Sequence, residues 1–288
     1  MAKKNPEGNM SLLEHIQEFR ARLIVSLVAL AAGTVLGYIW YGTNVGPIPS
    51  LGELLRTPYC DIDPAKRLSF GPEDECRLLA TSPFEMFLLR LKVGALAGTV
   101  LSCPVWLGQF WGFVTPGLEK KERRFTLLFI SLGVVLFVAG TILAYVCIPL
   151  GLNFLTGIGE ETQVAALTGR EYFNFLLQML ILFGFSFELP LVVVMLNLVG
   201  VLRYSMLKGK RRVMILAIFV LAAFITPGQD PFGLFGLGVA LSILMEVSLQ
   251  FCRFNDRRRA DNRPDWMDTD DDAASTIAAP SDINFDAT

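Results

Sequence analysis

The feature that most restricts this chain is a run of roughly thirty residues, about Tyr172 to Val199, nearly all apolar and holding one carboxylate deep inside. A helix of that length crosses a bilayer, whose hydrocarbon core takes about 20 apolar residues. The carboxylate is Glu188, in the stretch Phe183-Gly184-Phe185-Ser186-Phe187-Glu188-Leu189-Pro190. A charge near the bilayer centre costs at least about 2.5–3.5 kcal/mol, so such an acid faces a partner, lines a polar cavity or is protonated. Pro190, two residues on, removes a backbone donor and kinks the helix. An acid beside a kink in lipid points to a surface shaped to receive something. The alternative is that Glu188 pairs with a polar group on a neighbouring span, a role that Ser or Gln would fill at lower cost.

The rest of the chain repeats this pattern. Hydrophobic residues make up 53% and charged residues 18%, and the charges fall between long apolar runs. This predicts an all-α polytopic membrane protein with six spans at about 23–41, 84–114, 125–149, 172–199, 213–225 and 232–252. Residues 1–22 read as a cytoplasmic N-terminal segment and residues 253–288 as a disordered cytoplasmic tail, basic at first and then acidic. Trp40 and Tyr41 close the first span as an interfacial belt, and Trp106 and Trp111 mark the far boundary of the second. Pro104 kinks that second span. The fifth run offers only about 20 Å of helix, so the final hairpin thins the bilayer or leaves a recess. The alternative is that Arg212 snorkels and the helix starts earlier.

Lys and Arg set the orientation. The N-terminal segment, the loops holding Lys120–Arg124 and Arg203–Arg212, and the stretch Arg253–Arg259 are basic, whereas residues 150–171 and 226–231 hold only Arg170. The positive-inside rule then puts both termini in the cytoplasm and the protein in the plasma or inner membrane. The polar, basic stretch before the first span has neither the short apolar core nor the cleavage site of a removable signal. No basic stripe with interleaved aromatics is present, which sets nucleic-acid binding aside.

Five cysteines are present. Cys103, Cys147 and Cys252 read as small buried apolar groups. Cys60 and Cys76 share the long external loop, a compartment that permits disulfides. A Cys60–Cys76 bridge would stabilise that loop by about 3 kcal/mol; two free thiols are the alternative. The only histidine, His15, lies in the polar N-terminal segment. HExxH, P-loop, GxSxG and Cys/His clusters are all absent, so the reading is binding, with no enzyme chemistry, metal or cofactor.

Four stretches together resemble the TatC family, the receptor subunit of the twin-arginine protein translocase. They are Leu13-Glu14-His15-Ile16-Gln17-Glu18-Phe19-Arg20-Ala21-Arg22-Leu23, the segment from Ser102-Cys103-Pro104 through Phe113-Val114-Thr115-Pro116-Gly117-Leu118 to Glu122-Arg123-Arg124, the Glu188 stretch, and Thr226-Pro227 with Asp230. The resemblance spans about residues 10 to 255. It implies a concave, glove-like arrangement of six helices, with short helices 5 and 6. It also implies a non-catalytic receptor that binds twin-arginine signal peptides of folded substrates. Such a receptor recruits the single-span subunits TatA and TatB, works beside other TatC copies, and is driven by the proton-motive force.

Matched residue by residue, Glu18 and Glu122 resemble the family's cytoplasmic acids that receive the twin arginines. The chemistry fits, because a guanidinium forks onto a carboxylate in a way lysine cannot copy. Arg20, Arg22, Phe113, Pro116 and Leu118 match positions that shape this surface. Glu188 and Thr226 together resemble a docking point for a polar residue of TatA or TatB. Lys92 and Asp230 are further candidates. Some positions depart from the family pattern. Phe19 replaces the usual Leu, Asp230 falls one place later than in the common Thr-Pro-Pro-Asp form, and Leu234 stands where some relatives carry Gln. A secondary transporter or proton channel using Glu188 is the alternative function, although transporter-like matching halves are not visible.

Overall fold

In lipid every backbone N–H and C=O has to be satisfied within its own segment, so the apolar runs form helices. The computed structural model describes residues 12–61, 76, 78–80, 82–114, 123–157 and 168–261. Its elements are α1 (Leu12–Trp40), α2 (Leu51–Cys60), α3 (Pro83–Leu101), α4 (Cys103–Val114), α5 (Arg123–Gly157), α6 (Gly169–Ser186), α7 (Leu189–Val199), α8 (Tyr204–Lys208), α9 (Arg211–Ile225) and α10 (Pro231–Asp261). Among the described residues, four stretches are long and apolar enough to cross a membrane: Leu13–Trp40, Leu127–Leu155, Gly169–Val199 and Pro231–Arg258. The pair α3 and α4 makes a fifth when taken as one span bent by 58°. Helix α9 has 15 residues, a length of about 22 Å, whereas α10, expected to be short as well, has 31 residues.

The α3–α4 bend has a local cause. Pro104 supplies no N–H to the turn before it, and the helix breaks at Ser102. Polar side chains brace the bend. Ser102 Oγ donates to the Gly98 carbonyl at 2.6 Å, and the Trp106 indole donates to the Thr99 carbonyl at 3.0 Å. A second break falls at Phe187–Glu188, where α6 ends and α7 begins with Pro190 in its first turn.

Helices α1 and α3 meet through Gly33 and Gly37 on one side and Gly94 and Gly98 on the other. A Cβ at Gly98 would lie 2.5 Å from the Thr34 amide nitrogen, and one at Gly37 would lie 2.6 Å from the Gly94 carbonyl. Two small-xxx-small faces therefore bring the backbones together, as membrane helices do where no hydrophobic driving force separates them from lipid.

Two apolar cores result. The larger joins α2, α3, α5, α6, α9 and α10 around Tyr172, Leu176, Met179 and Phe183. The smaller joins α4, α5 and α7 around Leu107, Trp111, Phe137 and Leu191. Trp111 is fully buried there; it fills a core and does not mark a boundary. Helix α2 is held onto the larger core by its buried Leu51, Leu55 and Tyr59. The hydroxyls of Tyr145 and Tyr172 donate to the Leu54 and Leu55 carbonyls at 2.8 and 2.7 Å. Cys60 and Cys76 form a disulfide, with Cα atoms 5.7 Å apart.

Helix α10 continues to Asp261, so the tail expected to be disordered from residue 253 is helical over its first nine residues. Half-buried polar bonds account for this. Asp256 accepts from the Asn197 side chain at 2.9 Å and from the Tyr204 backbone N–H at 2.7 Å, and Asn255 donates to Asn197 Oδ1 at 2.9 Å. Residues 262–288 lie outside the described residues.

Candidate functional site

The N-terminal end of α1 carries His15, Phe19 and Arg22 at spacings of four and three, which places them on one face of the helix. That face meets the end of α4. The His15 ring stacks on Phe113 with centroids 4.5 Å apart, and Phe19 meets the same ring at 5.2 Å. Arg22 lies against Gly112, and its Nη1 reaches the Gln109 carbonyl at 3.5 Å. Glu18 is held one turn before Arg22, which donates to its Oε1 from Nε at 3.0 Å and from Nη2 at 2.7 Å. The other oxygen, Oε2, is shielded from solvent and has no hydrogen-bond partner among the described residues.

The structure thus brings Glu18, Arg22 and Phe113 together. Arg20 is exposed and shares no bond with them. Pro116, Leu118 and Glu122 lie outside the described residues. His15 and Gln109 were not singled out as site residues in the sequence. For His15 the helical spacing to Phe19 was the available signal; the Gln109 contribution is a backbone carbonyl, which side-chain identity does not reveal.

The second constellation lies at the α6–α7 break. Glu188 occupies the turn and is only 8% exposed. Among the described residues, neither carboxylate oxygen has a hydrogen-bond partner. The neighbouring helices α5 and α4 supply space and an indole. A Cβ at Gly133 of α5 would lie 3.2 Å from Glu188 Oε2 and 3.4 Å from Trp111 Nε1. The carboxylate therefore occupies the room left by a missing side chain, beside an indole. Neither Gly133 nor Trp111 was singled out as a site residue.

Glu188 and Thr226, expected to form one docking point, sit on different elements, the α6–α7 break and the end of α9. Thr226 closes α9, buried, with its Oγ1 unpartnered among the described residues. Its Cγ2 and the Met179 methyl both crowd Gly233. Met179 stands on α6, nine residues before Glu188 in the chain. Asp230 is fully buried and caps α10, accepting from the Phe232 and Gly233 backbone N–H groups at 3.0 and 2.7 Å. That capping role satisfies the helix start and accounts for its burial.

Lys92 donates to the Asn174 side chain at 2.9 Å. The two line a groove of about 680 Å³ between α3, α6 and the end of α9, with Thr99, Gln178, Phe224 and Pro227. Asn174 and Gln178 were passed over in the sequence, though a polar residue within a span is itself a signal.

These features define an all-helical membrane protein with acidic side chains at one helix rim and within its span region. The family model for the Sec-independent protein translocase protein (TatC) matches residues 14–239. A Sec-independent protein translocase protein TatC from Corynebacterium kroppenstedtii is 50% identical over 293 residues, covering 98% of this chain and 71% of that protein. The Frankia casuarinae TatC is 39% identical over 278 residues, covering 94% and 74%. Among solved structures, a crystal structure of the twin arginine translocase receptor TatC aligns with a TM-score of 0.67 and 28% identity, over 83% of this chain and 99% of that one. The chain belongs to the TatC family, membrane proteins that are components of the twin-arginine, Sec-independent protein translocase. This is a transport family and not a known enzyme family.

Proposed function

We propose that this chain is the receptor subunit of its translocase and binds the twin-arginine signal peptides of folded proteins at the rim formed by α1 and α4. The observation that carries the reading is Glu18 Oε2, a carboxylate oxygen with no partner among the described residues, set beside the aromatic shelf of His15, Phe19 and Phe113. A guanidinium needs such an acceptor, and flat rings offer its planar face a surface to stack on. Glu122 is the second receiving acid in this proposal, with Arg20, Arg22, Pro116 and Leu118 shaping the surface. The receptor catalyses no reaction, and the proton-motive force drives transport. Six spans in a concave, glove-like arrangement, with both termini cytoplasmic, put this rim on the side where folded substrates arrive. Helix α9, at 15 residues, is the shortest of the six.

Within the membrane, Glu188 and Thr226 are the proposed contacts for TatA and TatB. Each presents a buried polar group lacking a partner among the described residues, and such a group gains when a polar residue of a neighbouring helix reaches it. The test is export of a twin-arginine reporter by Glu18→Ala and Glu122→Ala. Both variants are expected to remain in the membrane and to lose export; normal export by either removes that acid from the site.

A further inference from the structure

Glu18 is already engaged before any peptide arrives. Both bonds from Arg22, Nε at 3.0 Å and Nη2 at 2.7 Å, fall on the same oxygen, Oε1. A guanidinium in its best geometry spans both carboxylate oxygens with two parallel bonds. Arg22 does not, because it belongs to the same helix one turn away and approaches from the side. The pair is therefore half made. Much of the charge of Glu18 is cancelled, yet Oε2 is shielded from solvent and accepts nothing among the described residues.

Arg22 also has a second acceptor within reach. Its Nη1 lies 3.5 Å from the Gln109 carbonyl, at the long limit of a hydrogen bond. Gly112 presents no side chain where the guanidinium lies against α4. The group is thus poised between Glu18 on its own helix and a backbone carbonyl on α4.

We propose that Arg22 is a resident competitor for the Glu18 carboxylate. It holds Oε1 in the free protein, yields it to a guanidinium of the incoming pair and turns towards the Gln109 carbonyl. In doing so it lowers the affinity of any cationic guest that takes Glu18, because each must break the same pair. The proposal rests on the reading of Glu18 as a signal-peptide group. Selectivity follows from the geometry. An incoming guanidinium takes Oε1 and Oε2 in parallel and so replaces both bonds that Arg22 gives up. An ammonium is a compact point donor and cannot match that fork. The cost of displacing Arg22 is the same for both, so the preference for arginine comes from this fork.

The test is equilibrium binding of a twin-arginine and a twin-lysine signal peptide to the purified full chain in detergent, for wild type, Arg22→Gln, Arg22→Lys and Glu18→Gln. Arg22→Gln should tighten twin-arginine binding by about three- to fivefold, the scale of a partly exposed ion pair. It should tighten twin-lysine binding by the same factor, because the pair that both peptides displace is the same, and leave the ratio of the two affinities as it was. Arg22→Lys, which keeps the charge but holds Glu18 at one point, should fall between. Weaker or unchanged binding by Arg22→Gln would make Arg22 a positioning residue only and overturn the proposal. If Arg22→Gln does not accumulate, Arg22→Lys decides: tighter twin-arginine binding than wild type supports the competitor, and equal or weaker binding overturns it. Glu18→Gln keeps the two readings apart. Full twin-arginine affinity in that variant removes Glu18 from the site, whereas lost affinity there with unchanged or weaker binding in Arg22→Gln sinks the competitor alone.

Discussion

Replacing Glu188 with Met should make the isolated protein more stable, although most core substitutions do the reverse. The carboxyl is 8% exposed, and neither oxygen has a hydrogen-bond partner among the described residues. Leaving a buried polar group unsatisfied costs about 1–3 kcal/mol, and more if it carries charge. Met is similar in length, flexible, and can fill the space over Gly133 beside the Trp111 ring. A gain of about 2 kcal/mol would raise the midpoint of thermal unfolding by roughly 4–8 °C for a chain of this size. The assay is thermal unfolding of the purified chain in detergent, wild type against Glu188→Met, read by tryptophan fluorescence. On the proposed reading the same variant loses crosslinks to TatA and TatB in membranes, so stability and partner binding move in opposite directions. A midpoint lowered by several degrees would refute the reasoning, because it would mean that the carboxylate makes a stabilising contact inside the fold.

Further outcomes follow from the packing. Gly98→Val places a branched side chain where a Cβ already lies 2.5 Å from the Thr34 amide, and should cost about 1–3 kcal/mol as α1 is pushed off α3. Gly108→Ala, where a Cβ meets only the Ile130 side chain at 3.7 Å, is the tolerated control in the same thermal assay. Cys60→Ser should cost about 3 kcal/mol while leaving α2 in place, because Tyr145 and Tyr172 still hold the Leu54 and Leu55 carbonyls. Mass spectrometry of the unreduced wild type should find neither Cys60 nor Cys76 alkylatable.

The apolar runs made the helices and the two proline-associated breaks legible, because length and a missing backbone donor are properties of the sequence itself. The helix ends were less so. Arg253 to Arg259 reads as polar tail by composition, yet Asn255 and Asp256 bond to Asn197 and the Tyr204 backbone and keep α10 helical past them. Trp111 looked like a boundary marker, and tertiary packing buried it beside Glu188. The acids stood out because charge in a greasy chain is conspicuous. What surrounds them did not, since Gly133 contributes an absence and Gln109 a backbone carbonyl. Asp230 drew attention as an acid in a turn, and its local geometry makes it a cap.

On the proposed reading Glu18, with the aromatic shelf that His15 and Phe19 of α1 make with Phe113 of α4, receives the twin arginines. The most direct measurement places a photocrosslinker next to the arginine pair of a signal peptide and maps its adducts on the membrane-embedded protein. Adducts at Phe19 and Phe113 that vanish with Glu18→Ala are the predicted result. Adducts confined to the groove at Lys92 and Asn174, or adducts at Phe113 that persist without Glu18, would contradict it.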